Sequence, residues 1–167
     1  YIDSYVLHGP SGGRGLSEAD YEVWREMEAL CREKRTRFIG VSNVNLGQLR
    51  MLVTAAEIQP RFVQNRCFAA NYWDREMREF CAEHQIIYQG FSLLTANAHV
   101  LGGPELISLA RRYQMTIAQV VFRFAQQVGM LPLTGTTDSD HMTEDLASST
   151  FPLTTDEIGL IEALGAR

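Results

Sequence analysis

Short apolar runs alternate with longer amphipathic stretches along the whole chain. Five of the runs have the length and the β-branched and aromatic content of buried strands. They cover residues 2–7, 37–42, 61–65, 85–92 and 130–135. A stretch with helical periodicity follows each run, and no hairpin signal joins one run to the next.

The amphipathic stretches predict helices with recognisable ends. Ser17 and Asp20 have the spacing of a capping box, which begins a helix that continues to about residue 34. A second helix over residues 46–56 ends before Pro60. Asp74 is expected to cap a third helix, with His84 on its buried face. Further helices are predicted over residues 105–113, 117–128, 139–146 and 155–164.

Crossovers through helices imply parallel pairing, so the pattern predicts an α/β fold of about five parallel βα units. Periodicity alone does not separate an open doubly wound sheet from part of a (β/α)8 barrel. The 167 residues are expected to form a single domain.

Composition narrows the functional classes. The formal net charge of −5 argues against a nucleic-acid partner, because phosphate would be repelled over most of the surface. Three cysteines without CxxC spacing favour a reducing compartment, and we expect a cytoplasmic protein. No apolar run reaches the ~18 residues of a membrane span. The first residue is not methionine, which raises the expectation of a piece of something longer.

Polar or aromatic residues stand at the end of each predicted strand, where parallel α/β folds place their functional groups. Each also has a structural interpretation: a satisfied histidine, a helix cap, a core aromatic ring or a turn. No phosphate-binding glycine motif, nucleophile elbow or metal-spaced histidine pair occurs, and we expect no metal site. The candidates are His8, Ser42, Asn43, Gln64, Asn65, Phe91, Ser92 and Thr134 to Thr137.

Several stretches taken in order resemble the aldo-keto reductases. They include "YIDSYVLHGP", "FIGVSNVNLGQL", "VQNRCFAANYWDREMREFCAEHQIIYQGFSLLTAN" and "AQVVFRFAQQVGMLPLTGTTDSDHMTEDL". The resemblance covers that family's (β/α)8 TIM barrel from about its fourth strand to its last helix. It implies a partial barrel that is the C-terminal part of a reductase, with the N-terminal part absent.

The resemblance also implies roles for individual residues. His8 matches the family's active-site histidine, which polarises the substrate carbonyl. Ser42 and Asn43 match the pair that holds the nicotinamide carboxamide, and Asn65 stands where a glutamine commonly serves the same amide. Phe91 matches the aromatic residue that stacks on the nicotinamide ring. Two further residues, Ser92 and Leu94, match the pyrophosphate path.

The adenosine end departs from the family pattern. Gly135 and His141 replace a lysine and an arginine, while Thr136 stands for a serine. Glu144 is kept and Asp145 replaces an asparagine. Loss of two cations weakens the hold on the 2′-phosphate of NADPH, so we expect little or no preference for NADPH over NADH. Partial compensation is expected from the hydroxyls of Thr136 and Thr137, from a protonated His141 and from the backbone amides of "TGTTD", residues 134–138, at a helix N-terminus.

The implied activity is NAD(P)H-dependent reduction of an aldehyde or ketone, with a small-molecule carbonyl substrate that the sequence does not identify. The family's acid tyrosine, with its aspartate and lysine, lies outside this chain, and neither Tyr5 nor Tyr72 matches it. The chain alone is therefore expected to turn over negligibly. The alternative is a redox-inactive partial barrel that acts as an interaction module and forms a homo-oligomer through exposed sheet edges.

Overall fold

The computed structural model describes residues 1–166. The strands are β1 (Ile2–Leu7), β2 (Thr36–Ser42), β3 (Phe62–Arg66), β4 (Ile87–Phe91) and β5 (Leu131–Pro132). The α-helices are α1 (Glu18–Arg32), α2 (Leu46–Ala55), α3 (Arg75–Glu83), α4 (Ala98–Leu101), α5 (Pro104–Tyr113), α6 (Ile117–Gln127), α7 (Ser139–Ala147) and α8 (Thr155–Ala163). Short 3₁₀ turns cover Ala69–Asp74, Thr95–Asn97 and Leu164–Ala166. No helix within residues 1–166 combines the length and the apolar character needed to cross a membrane.

The five strands form one parallel sheet in the order β1-β2-β3-β4-β5. Leu7 pairs with Val41, Val41 pairs with Val63, and Gln89 pairs with Leu131 at the other edge. Sequential strands are therefore spatial neighbours, as expected when each crossover passes through a helix. The predicted α/β class with five parallel strands is confirmed.

Side-chain caps account for where most helices begin. Ser17 and Asp20 form the predicted capping box of α1, and Thr116 and Thr154 cap α6 and α8 in the same way. Asn45, paired with Gln48, caps α2. The structural interpretation of Ser42 and Asn43 as the cap of this helix is therefore wrong, because α2 begins at Leu46, three residues after Asn43.

The segment after β3 differs from the prediction. A 3₁₀ turn precedes α3, and three consecutive residues there, Tyr72, Trp73 and Asp74, have positive φ of 49°, 53° and 55°. Non-glycine residues adopt this region at a cost, so neighbouring contacts must hold it. His84 was expected on the buried face of α3, but it lies beyond the helix, exposed, with its ring stacked on Phe80 at 4.1 Å between centroids.

Two compact units divide the chain, and the single-domain prediction stays a prediction. Unit 1 consists of Tyr1–Asn65 and Glu79–Tyr88, and unit 2 of Arg66–Arg78 and the chain from Gln89 onward. Each buries its own apolar core. The fully buried large side chains of unit 1 include Ile39, Leu49, Val63 and Tyr88, and those of unit 2 include Trp73, Leu93, Leu106, Phe124 and Ile161.

A buried arginine holds the strained segment of unit 2. The guanidinium of Arg78 donates to the carbonyl oxygens of Trp73 (2.8 Å), Val128 (3.1 Å) and Tyr72 (3.4 Å) and is paired with Glu162. Arg75, which is exposed, also lies 3.5 Å from Glu162. Satisfied donors make burial of this charge tolerable, and they fix the left-handed residues in place.

Strand β1 lies at one edge of the sheet and is exposed. Its first four residues are solvent-accessible, and the apolar side chains of Ile2 and Tyr5 are 50% and 45% exposed. Among the strands of residues 1–166, β1 pairs with β2 alone.

Candidate functional site

The end of β1 is joined to the end of β2 by a side-chain hydrogen bond. The Asn43 Nδ2 group donates to the backbone oxygen of His8 at 2.7 Å, and the backbone N–H of Asn43 donates to Gln64 O at 3.1 Å. Asn43 has φ of 54°, a region that asparagine tolerates better than most residues. Both His8 and Asn43 are exposed, so the imidazole and the amide are accessible at the carboxyl ends of their strands.

Ser42 and Asn65 are buried and bonded to backbone. Ser42 Oγ donates to Gln64 O at 2.6 Å. The Asn65 amide accepts from Val44 N–H at 3.1 Å and donates to Val44 O at 2.8 Å. A glutamine at this position would have a longer side chain that reaches farther. The shorter side chain of Asn65 instead holds the turn after β2 through its two bonds to the Val44 backbone. Its predicted contact with a nicotinamide amide stays a prediction.

The glycine-rich loop after His8 is anchored by side chains whose role the sequence did not reveal. The buried carboxylate of Asp20 accepts from the N–H groups of Ser11 and Ser17, both at 2.7 Å. Burial raises the pKa of Asp20, but the hydrogen bonds from Ser17 and Ser11 outweigh it, so the pKa lies below its usual value. Gln48 Nε2 donates to Gly15 O at 3.0 Å. The capping spacing indicated Asp20 as a helix residue, and the helix predicted over residues 46–56 includes Gln48. Nothing local indicated the loop contacts of either side chain.

Phe91 is the last residue of β4, and Ser92 and Leu94 follow it in the turn; all three belong to unit 2. The Arg66 guanidinium carbon is 5.7 Å from the centroid of the half-buried Phe91 ring. The carbonyl of Phe91 accepts from Cys67 N–H at 3.1 Å, and that of Ser92 accepts from Ala96 N–H at 2.9 Å. Ser92 has φ of 57°, so the chain turns sharply there.

The segment from Gly135 to Asp145 contains an acidic cap. Asp138 Oδ1 accepts from the N–H groups of Asp140 (2.8 Å) and His141 (3.3 Å), and these bonds hold the pKa of Asp138 below its usual value. Thr136 Oγ1 accepts from Asp138 N–H at 3.1 Å. Two N–H groups at the start of α7, those of Asp140 and His141, are therefore already bound to the chain's own carboxylate. Of the amides of residues 134–138 that were expected to face a phosphate, that of Asp138 is bound to Thr136.

Asp145 and Glu144, in the same segment, are hydrogen-bonded to other parts of the chain, whereas Gly135 is open to solvent. Asp145 Oδ2 accepts from Thr134 Oγ1 at 2.9 Å, and the backbone oxygen of Glu144 accepts from Gln119 Nε2 at 3.0 Å. Gly135 is exposed, and a Cβ built on it would have no heavy atom within 4 Å.

The candidates are divided between the two units. Unit 1 holds His8, Ser42, Asn43 and Asn65; unit 2 holds Phe91, Ser92, Leu94 and the Gly135–Asp145 segment. Within residues 1–166, no three histidine, cysteine or acidic side chains are grouped so as to hold a metal ion.

Parallel βα units with polar residues at the carboxyl ends of their strands make this chain an α/β protein with its candidate site at that edge of the sheet. The family model described as "Aldo/keto reductase family" matches residues 1–166. The chain belongs to the aldo/keto reductase family.

Individual relatives agree with this assignment. The chain is 32% identical over 164 residues to "Uncharacterized oxidoreductase YtbE" of Bacillus subtilis, covering 98% of this chain and 56% of that protein. It is 30% identical over 166 residues to "9,11-endoperoxide prostaglandin H2 reductase" of Trypanosoma cruzi, again covering 98% and 56%. The crystal structure of an aldo/keto reductase from Brucella melitensis superposes with a TM-score of 0.85 at 25% identity, covering 98% of this chain and 61% of that one.

The chain therefore spans a little over half the length of the curated relatives it matches. Together with the five-stranded parallel sheet, this confirms the predicted partial (β/α)8 barrel.

Proposed function

We propose that this chain carries the nicotinamide-nucleotide-binding part of a cytoplasmic NAD(P)H-dependent reductase that converts small aldehydes or ketones to alcohols. The proposal rests on one observation above others: the exposed imidazole of His8 stands at a strand end whose backbone is bonded to the exposed amide of Asn43. Family membership supports it, because aldo-keto reductases generally use NAD(P)H.

The donor set of unit 1 fits a nicotinamide carboxamide. One N–H of the Asn43 amide is used by His8, which leaves its second N–H and its oxygen for a ligand amide. The Ser42 hydroxyl donates to Gln64 and keeps acceptor capacity. In unit 2, the half-buried ring of Phe91 offers the apolar face that stacking requires.

The chemistry divides between cofactor and protein. A bound reduced nicotinamide supplies hydride to the carbonyl carbon. His8 donates a hydrogen bond to the carbonyl oxygen, where negative charge develops, and a donor held in place before the reaction stabilises that charge without reorganisation. We propose that the proton comes from a tyrosine outside this chain, so the 167 residues alone bind nucleotide without turnover.

The test is calorimetric titration of the 167-residue chain with NADH and NADPH, followed by NAD(P)H oxidation with a panel of aldehydes. We expect binding that weakens at least fivefold in Asn43→Ala, with no oxidation at rates typical of enzymes. Exposed Asn71→Ala is the matched control, because it removes an amide outside both sets. Absence of nucleotide binding would refute the proposal. Rapid oxidation of NAD(P)H would refute the claim that the proton donor lies outside this chain.

The exposed edge strand β1 favours a second candidate, a redox-inactive interaction module that associates through this edge. It predicts a stable homo-oligomer and no nucleotide binding. Sedimentation of a dispersed monomer at high concentration would contradict it.

A further inference from the structure

We propose that Asn97 is a positioning residue that fixes the Phe91–Leu94 turn for the nicotinamide end of the cofactor; this rests on the function proposed above. Asn97 is fully buried, at 0% exposure, in the 3₁₀ turn that follows this segment. A buried amide is costly unless its hydrogen-bonding groups are satisfied, so its partners indicate its purpose.

The Asn97 amide joins the loop after β3 to the turn after β4. Its Oδ1 accepts from Ala69 N–H at 2.7 Å, and its Nδ2 donates to Cys67 O and Leu93 O, both at 2.9 Å. Both amide hydrogens are therefore used, and all three partners are backbone groups. Such an amide sets the path of two loops at once.

The turn needs this external support. Ser92 has a positive φ of 57°, a conformation that a serine does not favour by itself. The bond from Cys67 N–H to Phe91 O at 3.1 Å joins the same two segments one residue before the turn. The Asn97 bond to Leu93 O holds it one residue after Ser92, so the strained residue is fixed on both sides.

The consequence falls on one end of the ligand. The residues proposed for the nicotinamide ring and the pyrophosphate, Phe91, Ser92 and Leu94, are the strand end and the turn that Asn97 fixes, whereas the adenosine residues begin at Gly135. Loss of the amide should therefore weaken whole dinucleotides and leave adenosine fragments unaffected. A general loss of folding would weaken both equally.

The experiment compares wild type, Asn97→Asp and Asn97→Ala in the 167-residue chain. Asn97→Asp nearly keeps the size but places an acceptor opposite two carbonyl oxygens; Asn97→Ala removes all three bonds. Gln127→Ala is the matched control, because that amide also binds backbone, the N–H and oxygen of Leu153 at 2.7 and 3.0 Å. Each variant is titrated with NADH and with 5′-AMP at a temperature where all are folded.

We expect both Asn97 variants to bind NADH at least tenfold more weakly and 5′-AMP within twofold of wild type, while Gln127→Ala keeps both affinities. Equal weakening of both ligands, or none, would overturn the positioning role. Hydrogen exchange of the backbone amides at residues 91–94 tests the structural claim without a ligand, so failure of that claim can be told apart from failure of the proposed function. If the wild type binds no NADH, the proposed function fails; unchanged exchange in Asn97→Ala would independently overturn the structural claim.

Discussion

The adenosine end offers a quantitative prediction about cofactor choice. Replacing Gly135 with Lys and His141 with Arg restores the two cations that the family pattern places there. The structure has room for both: Gly135 has open space where a side chain would begin, and His141 is exposed on α7. Each charge-assisted hydrogen bond to a phosphate contributes ~1.5–3 kcal/mol. Because the segment is exposed, we take the lower bound, which gives about 3 kcal/mol for the pair, or roughly a hundredfold.

Two carboxylates reduce that gain. Asp138 occupies the N–H groups at the start of α7, and Asp145 is fixed by Thr134. We therefore expect the double variant to bind 2′,5′-ADP at least tenfold more tightly relative to 5′-AMP than the wild type does. The wild type should discriminate between these two fragments by less than tenfold.

Calorimetry with the two fragments isolates the 2′-phosphate, because they differ in that group alone. Gly159→Lys with His84→Arg is a charge-matched control: both sites are exposed, and neither belongs to the adenosine segment. A wild type that prefers 2′,5′-ADP by a hundredfold would refute the reasoning, as would an equal gain in the control.

Three stability predictions follow from buried polar groups and tight glycines. Arg78→Met should lower the free energy of unfolding by about 3–5 kcal/mol in urea titrations, because it leaves a carboxylate and three carbonyl groups without their buried donor. The control Arg75→Ala, at an exposed arginine, should lower it by only ~0–1 kcal/mol. Asp20 has a lowered pKa, so the stability it contributes is present at neutral pH and is lost as pH falls below about 4; Asp20→Asn should flatten this part of the pH profile. Gly40→Ala should destabilise more than Gly90→Ala in thermal unfolding, because its Cβ would lie 2.6 Å from a backbone oxygen, whereas that of Gly90 meets a flexible methionine side chain.

Each of these predictions has a contradicting result. Equal losses in the two arginine variants would show that burial of Arg78 does not matter. An unchanged acid slope in Asp20→Asn would assign the acid sensitivity to other carboxylates. A larger loss of thermal stability in Gly90→Ala than in Gly40→Ala would show that the side chain of Met130 cannot move aside.

Periodicity and caps were enough to predict most of the fold. Strand β1 and the capping box at Ser17 follow from local residue chemistry, and the structure reproduces them. The 3₁₀ turn at Ala69–Asp74 was not predictable, because its left-handed residues are held by Arg78 through bonds that reach Val128 and Glu162. Local sequence carries no signal for contacts of that range.

The candidate site shows the same division. Strand ends indicated His8, Asn43 and Phe91 as candidates, because parallel topology places functional groups there. The structure leaves His8 and Asn43 exposed and Phe91 half-buried. The bond of Asn65 to the Val44 backbone depends on side-chain length and on how two strand ends meet. Asn97 carried no pattern at all, since one asparagine in a short apolar stretch looks the same whether buried or exposed.

The residues proposed for the two ends of the cofactor differ in how their hydrogen bonds affect ligand binding. Hydrogen bonds within unit 1 orient Ser42 and Asn43, and a separate bond within unit 2 orients the turn after β4. Groups that are fixed beforehand lose little entropy when a nicotinamide binds. At the adenosine end, Asp138 already binds two N–H groups at the start of α7, which are then not available to a phosphate at that helix N-terminus. Affinity should therefore come mainly from the nicotinamide end, which both cofactors share. This is the physical reason to expect weak discrimination between NADH and NADPH, and it explains why Asn97 and Gly135 should affect different parts of the same ligand.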